Sequence, residues 1–267
     1  MDQLTSYALS EIPLFDSHFH IVDRRFPLVP NDGYLPGDFT CSDYLLRTAN
    51  LPLAGGAIVS GSFQALDQDY LIDALATLGP AFVGVTQLPA SVSDAEVLRL
   101  DQLGVRAIRF NLKRGGSEKV QHLERLAQRV FELARWHVEL YVDSRDLPEL
   151  KDILLRLPAV SIDHLGLCQG GFATLLALAE QGVRVKATGF GRVDFDVKVA
   201  LRELCQANPE ALMFGTDLPS TRAPRPYADE DLLLLLDALG EDMARKALWE
   251  NAVAFYRPKG SQPVALA

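Results

Sequence analysis

Short apolar runs recur down the chain at Leu14–Phe19, Gly56–Ser60, Phe82–Thr86, Val105–Phe110, Val138–Val142, Val160–Ile162, Val183–Ala187 and Leu212–Phe214. Each is rich in Val, Ile, Phe or Ala and has the length of a buried strand. Between them, Tyr70–Leu78, Asp94–Leu103, Glu118–Ala134, Leu147–Leu157, Phe172–Glu180, Val197–Gln206 and Asp231–Leu239 carry apolar residues at helical spacing. Gly79, Gly104 and Gly182 stop three of these helices just before the next strand, and Ser93 precedes Glu96 at capping-box spacing. Strand starts fall roughly 28 residues apart, the repeat of a βα unit, and eight such units suit a (β/α)₈ barrel of about 250 residues. The expected fold is thus α/β, a single-domain (β/α)₈ TIM barrel over residues 1–257. Residues 258–267 contain Pro, Gly and Ser without periodicity and are expected to be a frayed, disordered tail. A doubly wound sheet shows the same alternation, but its dinucleotide-binding form needs a Gly-x-Gly-x-x-Gly turn, and here Gly189 and Gly191 are followed by Asp194.

Composition narrows the picture. With 48% hydrophobic and 23% charged residues the chain has material for a packed core, which excludes intrinsic disorder. The formal net charge of -9 argues against nucleic acid or an anionic membrane as partner. Cys41, Cys168 and Cys205 are far apart and form neither a disulfide framework nor a thiolate zinc site, which fits a reducing cytoplasm. Residues 1–11 lack the basic and apolar regions of a secretory signal, and the longest uncharged stretches are interrupted by Gly, Pro or polar residues. A soluble cytoplasmic protein is expected, either monomer or homo-oligomer; the Leu232–Leu236 run offers surplus apolar surface for a contact between copies.

The densest chemical signal is Asp16-Ser17-His18-Phe19-His20 at the end of the first strand. Alternation along a strand puts His18 and His20 on one side, with Asp16 a step below. On the sixth strand, Val160, Ile162 and His164 share a phase; on the eighth, Met213, Gly215 and Asp217 do. Three histidines and one aspartate thus fall at the carboxyl ends of three barrel strands, where active sites of this fold are built. Two segments exceed ordinary βα loops, Ile21–Thr40 and Pro219–Tyr227, the latter carrying Arg222 and Arg225; both are expected over the barrel mouth.

Arginines suggest what the site holds. Arg109 shares a phase with Val105 and Ala107, so it points into the barrel and needs an anion. Arg114 in Lys113-Arg114-Gly115-Gly116 and Arg192 in Gly189-Phe190-Gly191-Arg192 follow strands four and seven, bordered by glycines that let backbone approach a ligand. Guanidinium forks match carboxylates, so a small anionic substrate is expected, reasonably a dianion. Tyr141, on the phase of Glu139, can present its hydroxyl to such a group. The register of Lys186 is ambiguous, and His122 and His137 occupy positions typical of surface histidines; none is given a role.

Together, Asp16-Ser17-His18-Phe19-His20, Ile162-Asp163-His164, Gly215-Thr216-Asp217 and the closing Asn251-Ala252-Val253-Ala254-Phe255-Tyr256 resemble the amidohydrolase superfamily, in its amidohydrolase-related branch. Within that branch the chain is most similar to the 2-pyrone-4,6-dicarboxylate lactonases. The resemblance implies a distorted barrel that hydrolyses a cyclic ester, with His18, His20, His164 and Asp217 at the reaction centre and Arg109, Arg114, Tyr141 and Arg192 around the substrate. Metal-using members commonly add a histidine or a carboxylated lysine on the middle strands; here those strands read Arg109-Phe110-Asn111 and Glu139-Leu140-Tyr141. A binuclear centre is therefore not expected, and the lactonase resemblance implies catalysis with no metal cofactor required.

Opening a lactone requires a base for water and a positive environment for the oxyanion. Asp217 is the candidate base, and His164 with His18 or His20 would polarise the carbonyl. The expected reaction is ring opening of a carboxylate-bearing lactone, a pyrone dicarboxylate or a sugar-acid lactone. Two alternatives stand beside it. One is a mononuclear metal-dependent decarboxylase or amidohydrolase with a Zn²⁺ on His18, His20 and Asp217; the other is a non-catalytic barrel that binds carboxylates.

Overall fold

The computed structural model describes residues 12–260. The secretory-signal reading of residues 1–11 lies outside the described residues, as does the tail after residue 260. Eight parallel strands pair in sequence order: β1 (Leu14–Phe19), β2 (Leu53–Val59), β3 (Phe82–Thr86), β4 (Val105–Asn111), β5 (His137–Tyr141), β6 (Val160–Ile162), β7 (Arg184–Ala187) and β8 (Leu212–Phe214). Every strand end falls within three residues of the one expected. Helices α1 (Cys41–Arg47), α2 (Asp69–Leu78), α3 (Asp94–Gln102), α4 (Leu123–Ala134), α5 (Leu147–Leu154), α6 (Phe172–Glu180), α7 (Val197–Ala207) and α8 (Glu230–Arg245) follow the strands in turn, and α9 (Asn251–Tyr256) closes the chain. The single (β/α)₈ barrel expected from the alternation is what forms.

Departures from the expected elements have local causes. The helix anticipated from Glu118 begins only at Leu123, because the Glu118 carboxylate accepts from Ala90 N at 2.5 Å and Lys119 N at 2.7 Å while Lys119 stays extended. Helix α1 was not anticipated; it starts on a capping box in which Thr40 and Asp43 bond each other's backbone N–H. Of the expected tail, residues 258–260 are described, and there Gly260 N donates to Pro80 O and Lys259 Nζ to Gln102 O, both at 3.0 Å. Among the described residues no helix is long and apolar enough to cross a membrane.

Two cores position the site. The larger lies between sheet and helices and includes Ile58, Ile108, Leu140, Ile162 and Val185. The smaller fills the barrel's interior, where Phe15, Val59, Val85, Ala107 and Met213 pack on Trp249, Ala252 and Tyr256 from the chain's last helical turns. That plug leaves only the carboxyl ends of the strands open to a ligand.

The barrel has a seam. No ladder joins β8 to β1; closure comes from the residues just past β8, where Asp217 N donates to His18 O and His20 N to Leu218 O, each at 2.7 Å. Asp16 braces the same seam, accepting from Thr216 N (2.8 Å), Thr216 Oγ1 (2.6 Å) and Tyr44 Oη (3.0 Å). Its burial outweighs these bonds and pushes its pKa up to about 6.

Candidate active site

Strand β1 carries a bulge: Asp16 pairs with Gly56 and Phe19 with Ile58, so three steps of β1 oppose two of β2. A bulge shifts the side-chain phase. Phe15 faces the interior plug, Asp16 turns to Tyr44 on the helix side, and beyond the bulge His18 and His20 face inward while Phe19 stacks on Tyr44 at 3.8 Å. Asp16 is therefore not in the histidine cluster, as strict alternation had placed it.

Strand β6 also departs from the expected phase. Val160 and Ile162 pack in the outer core, and Ser161 and Asp163 occupy the inward positions, Ser161 opposite Glu139 of β5. His164 enters the site because the chain turns there into the left-handed region, at φ +51°. Asp217 takes φ +59° at the seam. They are two of ten described non-glycine residues in this costly region, and four more, Leu165, Leu167, Ser220 and Arg222, lie in the same two loops.

These four residues converge. Asp217 Oδ1 lies 4.0 Å from His18 Nε2, 4.0 Å from His20 Nε2 and 3.9 Å from His164 Nε2. Asp217 Oδ1 and His18 Nε2 are buried without hydrogen-bond partners. Separations of this size leave room for one atom between the groups. The other carboxylate oxygen, Asp217 Oδ2, accepts from Arg192 Nε at 2.6 Å, and Arg192 is anchored in turn on Thr221 O at 3.0 Å.

The imidazole protons follow from their second nitrogens. His20 Nδ1 is 2.7 Å from Val59 O, so it must donate there, and a neutral His20 turns a bare Nε2 to the centre. Burial holds its pKa well below the usual value. This removes His20 as the donor that polarises a carbonyl. His18 Nδ1 faces both Lys186 Nζ at 3.2 Å and the unpartnered Asp163 Oδ1 at 3.5 Å; where the nearer ammonium donates to Nδ1, the proton stands on Nε2. His18 is shifted down by burial and then by Lys186. His164 Nδ1 pairs with Thr188 Oγ1 at 2.5 Å, and burial pushes its pKa well down as well.

Beneath the histidines runs a buried charge network absent from the sequence reading. Lys186 is fully buried and ion-paired with Glu139, which also accepts from the Tyr256 hydroxyl and lies 3.1 Å from His137 Nε2. His137 is thus an interior residue, not a surface one. Asp163 accepts from Arg109 Nε (3.2 Å) and Nη2 (2.8 Å) and lies 3.6 Å from Lys186. Burial opposes its ionisation, but the fields of Lys186, His18 and Arg109 hold it well below the usual carboxylate range. The anion that Arg109 needs is therefore supplied in large part by Asp163. A strand-borne Lys and Glu among apolar neighbours were the sequence signal for this network.

A cleft opens above. Arg109, Arg114, Tyr141 and Arg192, the four residues expected around a substrate, all line it, with His20, His164, Ser62, Asn111 and Arg222. Tyr141 lies between the Arg109 guanidinium, 5.4 Å from its ring, and His164, at 5.1 Å. Asp217 is 1% exposed and sits just behind His20 and His164. The glycines of the β7 loop serve packing instead of ligand approach: a Cβ on Gly189 would stand 2.7 Å from His164 Nδ1, and one on Gly191 2.1 Å from Arg225 O.

The donor set also fits one divalent metal ion. His18, His20 and Asp217 present ligand atoms within 4.8 Å of one another. A tetrahedral zinc with bonds of about 2.0–2.1 Å spaces its ligands by about 3.3–3.5 Å, a contraction of roughly 0.5 Å from the 4.0 Å that separates Asp217 Oδ1 from each of the two imidazoles. The bare Nε2 of His20 and the unpartnered Asp217 Oδ1 suit such a role.

Residues 15–257 match the amidohydrolase family, and the chain belongs to it. A Comamonas testosteroni protein described as 2-pyrone-4,6-dicarboxylate hydrolase is 26% identical over 275 residues, 91% of this chain and 90% of its own. A solved Pseudomonas putida protein, provisionally called a 2-pyrone-4,6-dicarboxylic acid hydrolase, is 27% identical with a TM-score of 0.79, covering 92% of this chain and 98% of that one. An Agrobacterium tumefaciens protein solved in its apo form shares the fold, with a TM-score of 0.81 at 22% identity over 95% of this chain and 97% of that one.

Proposed function

We propose that the protein hydrolyses the ring ester of a carboxylate-bearing lactone, of the 2-pyrone-4,6-dicarboxylate kind. The observation that carries this reading is the unpaired Asp217 Oδ1, faced by three imidazole Nε2 atoms at 3.9–4.0 Å behind an arginine-lined cleft. The names of the Comamonas and Pseudomonas relatives support the same substrate class.

In the proposed reaction Asp217 takes a proton from water, and the resulting hydroxide adds to the ring carbonyl. The His18 Nε2–H, held in that tautomer by Lys186, donates to the oxyanion. Collapse of the tetrahedral intermediate breaks the ring C–O bond; the leaving oxygen takes the proton from Asp217, and the product carries one new carboxylate. Arg192 keeps Asp217 oriented through Oδ2, so Oδ1 is the oxygen that gains and loses the proton. The arginines hold the substrate carboxylates and fix the ester beside the centre.

A second reading is favoured by the bare Nε2 of His20 and the unpartnered Asp217 Oδ1: a mononuclear metal enzyme, a decarboxylase or amidohydrolase, with the ion on His18, His20 and Asp217, His18 then carrying its proton on Nδ1 toward Asp163 Oδ1, 3.5 Å away. Bound there, a divalent cation would supply Lewis-acid polarisation of a substrate oxygen. A pH-indicator assay of carboxylated lactones, run on protein with and without chelator treatment, tests both. The expected result is proton release from 2-pyrone-4,6-dicarboxylate or a carboxylated sugar lactone that survives the chelator. Turnover that disappears with a stoichiometric metal and returns on its addition supports the second reading, and silence across the lactones overturns the first.

A further inference from the structure

Two arginines on the cleft wall, Arg222 and Arg114, form no ion pair among the described residues. Arg222, in the loop after β8, reaches the loops after β1 and β2: its Nη2 donates to Asn31 Oδ1 at 3.0 Å and to Ser62 Oγ at 3.3 Å, and its Nη1 donates to Asn31 O at 3.3 Å. All three acceptors are uncharged. Its Nε is buried with no partner. The Tyr34 ring lies 4.7 Å from the guanidinium and limits its movement. Arg114 lines the same cleft, and Asn31 ties the two arginine-bearing loops together by donating from Nδ2 to Arg114 O at 3.0 Å.

Charge accounting separates these two arginines from the rest of the cleft. Arg109 is paired with Asp163 and Arg192 with Asp217. Among the described residues, Arg114 and Arg222 have no carboxylate within ion-pair distance, and they repel one another. Burial and then the field of Arg114 push the Arg222 pKa down, against the smaller opposing fields of Tyr34, Asp32 and Tyr141. Two like charges held together on a cleft wall are costly unless a ligand neutralises them.

We infer that Arg222, with Arg114, clamps a second carboxylate of the substrate, away from the reacting ester, so that the site selects dianionic over monoanionic ligands. This deepens the lactonase reading and rests on it for the identity of the substrate. It gives the two long loops a common purpose, since Asn31 from one and Arg222 from the other must meet to build the clamp.

The test uses ligands that cannot be hydrolysed. Isophthalate carries two carboxylates meta on a six-membered ring, the relation of the 4- and 6-positions of a pyrone; 3-carbamoylbenzoate replaces one with a neutral amide of the same shape. Calorimetric titration of the unaltered protein is expected to show isophthalate binding at least about tenfold tighter, the loss typical of one charge-assisted pair. Arg222→Met and Arg222→Gln, each checked by circular dichroism, are expected to reduce that preference to about twofold or less. A role limited to bracing the loops would weaken both ligands alike. No preference in the unaltered protein, or a preference that persists in both variants, overturns the clamp. Preference lost in the variants without turnover of any lactone sinks the hydrolase reading alone; turnover without the preference sinks the clamp alone.

Discussion

Replacing Lys186 with Met probes the buried network and the histidine it serves. Met fills a similar volume but removes the ammonium that pairs with Glu139, lies 3.2 Å from His18 Nδ1 and 3.6 Å from Asp163 Oδ1. Glu139 would keep only the Tyr256 hydroxyl and His137, neither of which carries a full positive charge when the imidazole is neutral. Breaking a buried ion pair from one side costs about 3–5 kcal/mol. Against a total stability of about 5–15 kcal/mol, Lys186→Met is expected to fold but with a much lower urea midpoint and an unchanged slope. Lys186→Met combined with Glu139→Gln removes both charges, and Gln still offers an oxygen to Tyr256; recovery of about 1–3 kcal/mol relative to the sum of the single losses is expected. The catalytic readout is separate. Without the ammonium, His18 Nδ1 is free to donate to Asp163 Oδ1, 3.5 Å away, which would strip the proton from Nε2. Loss of one oxyanion donor lowers kcat by about 10²–10³ with little change in KM. A Lys186→Met variant within about 1 kcal/mol of the unaltered protein, or a double variant whose losses simply add, refutes the network argument.

Three further outcomes follow from the same geometry. Asp217→Asn can keep its oxygen on Arg192 and turn its amide toward the bare Nε2 of His20, so the fold and substrate binding should persist while kcat falls about 10²–10⁴-fold; a variant within a few-fold of full activity removes Asp217 as the base. Arg109→Met strips Asp163 of its two guanidinium bonds, so weaker substrate binding should come with a stability loss of about 3–5 kcal/mol in urea, and weaker binding at unchanged stability contradicts the pairing. Burial lowers the pKa of His18, His20, His137 and His164 below the unfolded value of 6.5, so the unfolded chain binds more protons as the pH falls. The histidine contribution is then complete above that value and drops below it by up to about 1.4 kcal/mol per pH unit for each histidine until its folded pKa is reached, while Asp16, raised to about 6, offsets one such slope below that pH; a urea midpoint flat from about pH 7.5 to 5 contradicts this.

The barrel was legible in the sequence because eight bounded apolar runs recur at the βα period, three of the intervening helices stop at a glycine, and each strand's length follows from its run. Inward and outward faces were harder. Both faces of a parallel barrel strand are buried, so hydrophobicity does not tell them apart. On β6 that ambiguity sent Val160 and Ile162 to the wrong side, whereas the polar Ser161 and Asp163 held the interior. The bulge in β1 left no mark in the hydrophobic pattern, yet it separates Asp16 from His18 and His20. His18, His20 and Asp217 were nevertheless found, because a polar residue at the carboxyl end of an apolar strand stands out whatever the register. Lys186 and Glu139 carried the same signal one layer deeper; only their mutual pairing, set by three-dimensional register, gave them meaning.

Two buried aspartates adjoin the histidines, and their bonding supports different parts for them in the proposed reaction. Asp163 is gripped by Arg109 through two bonds and sits within 3.6 Å of Lys186, so the cost of protonating it includes two cations left without their partner. A general base must accept and release a proton in every turnover, which such pairing opposes. Asp217 has one oxygen committed to Arg192 and the other unbonded, facing three imidazoles, two of which line the cleft. Its proton can therefore arrive on Oδ1 without breaking the Arg192 contact. The division of labour follows from bonding rather than residue type: Asp163 fixes the positive charges that orient His18, and Asp217 remains available to the water.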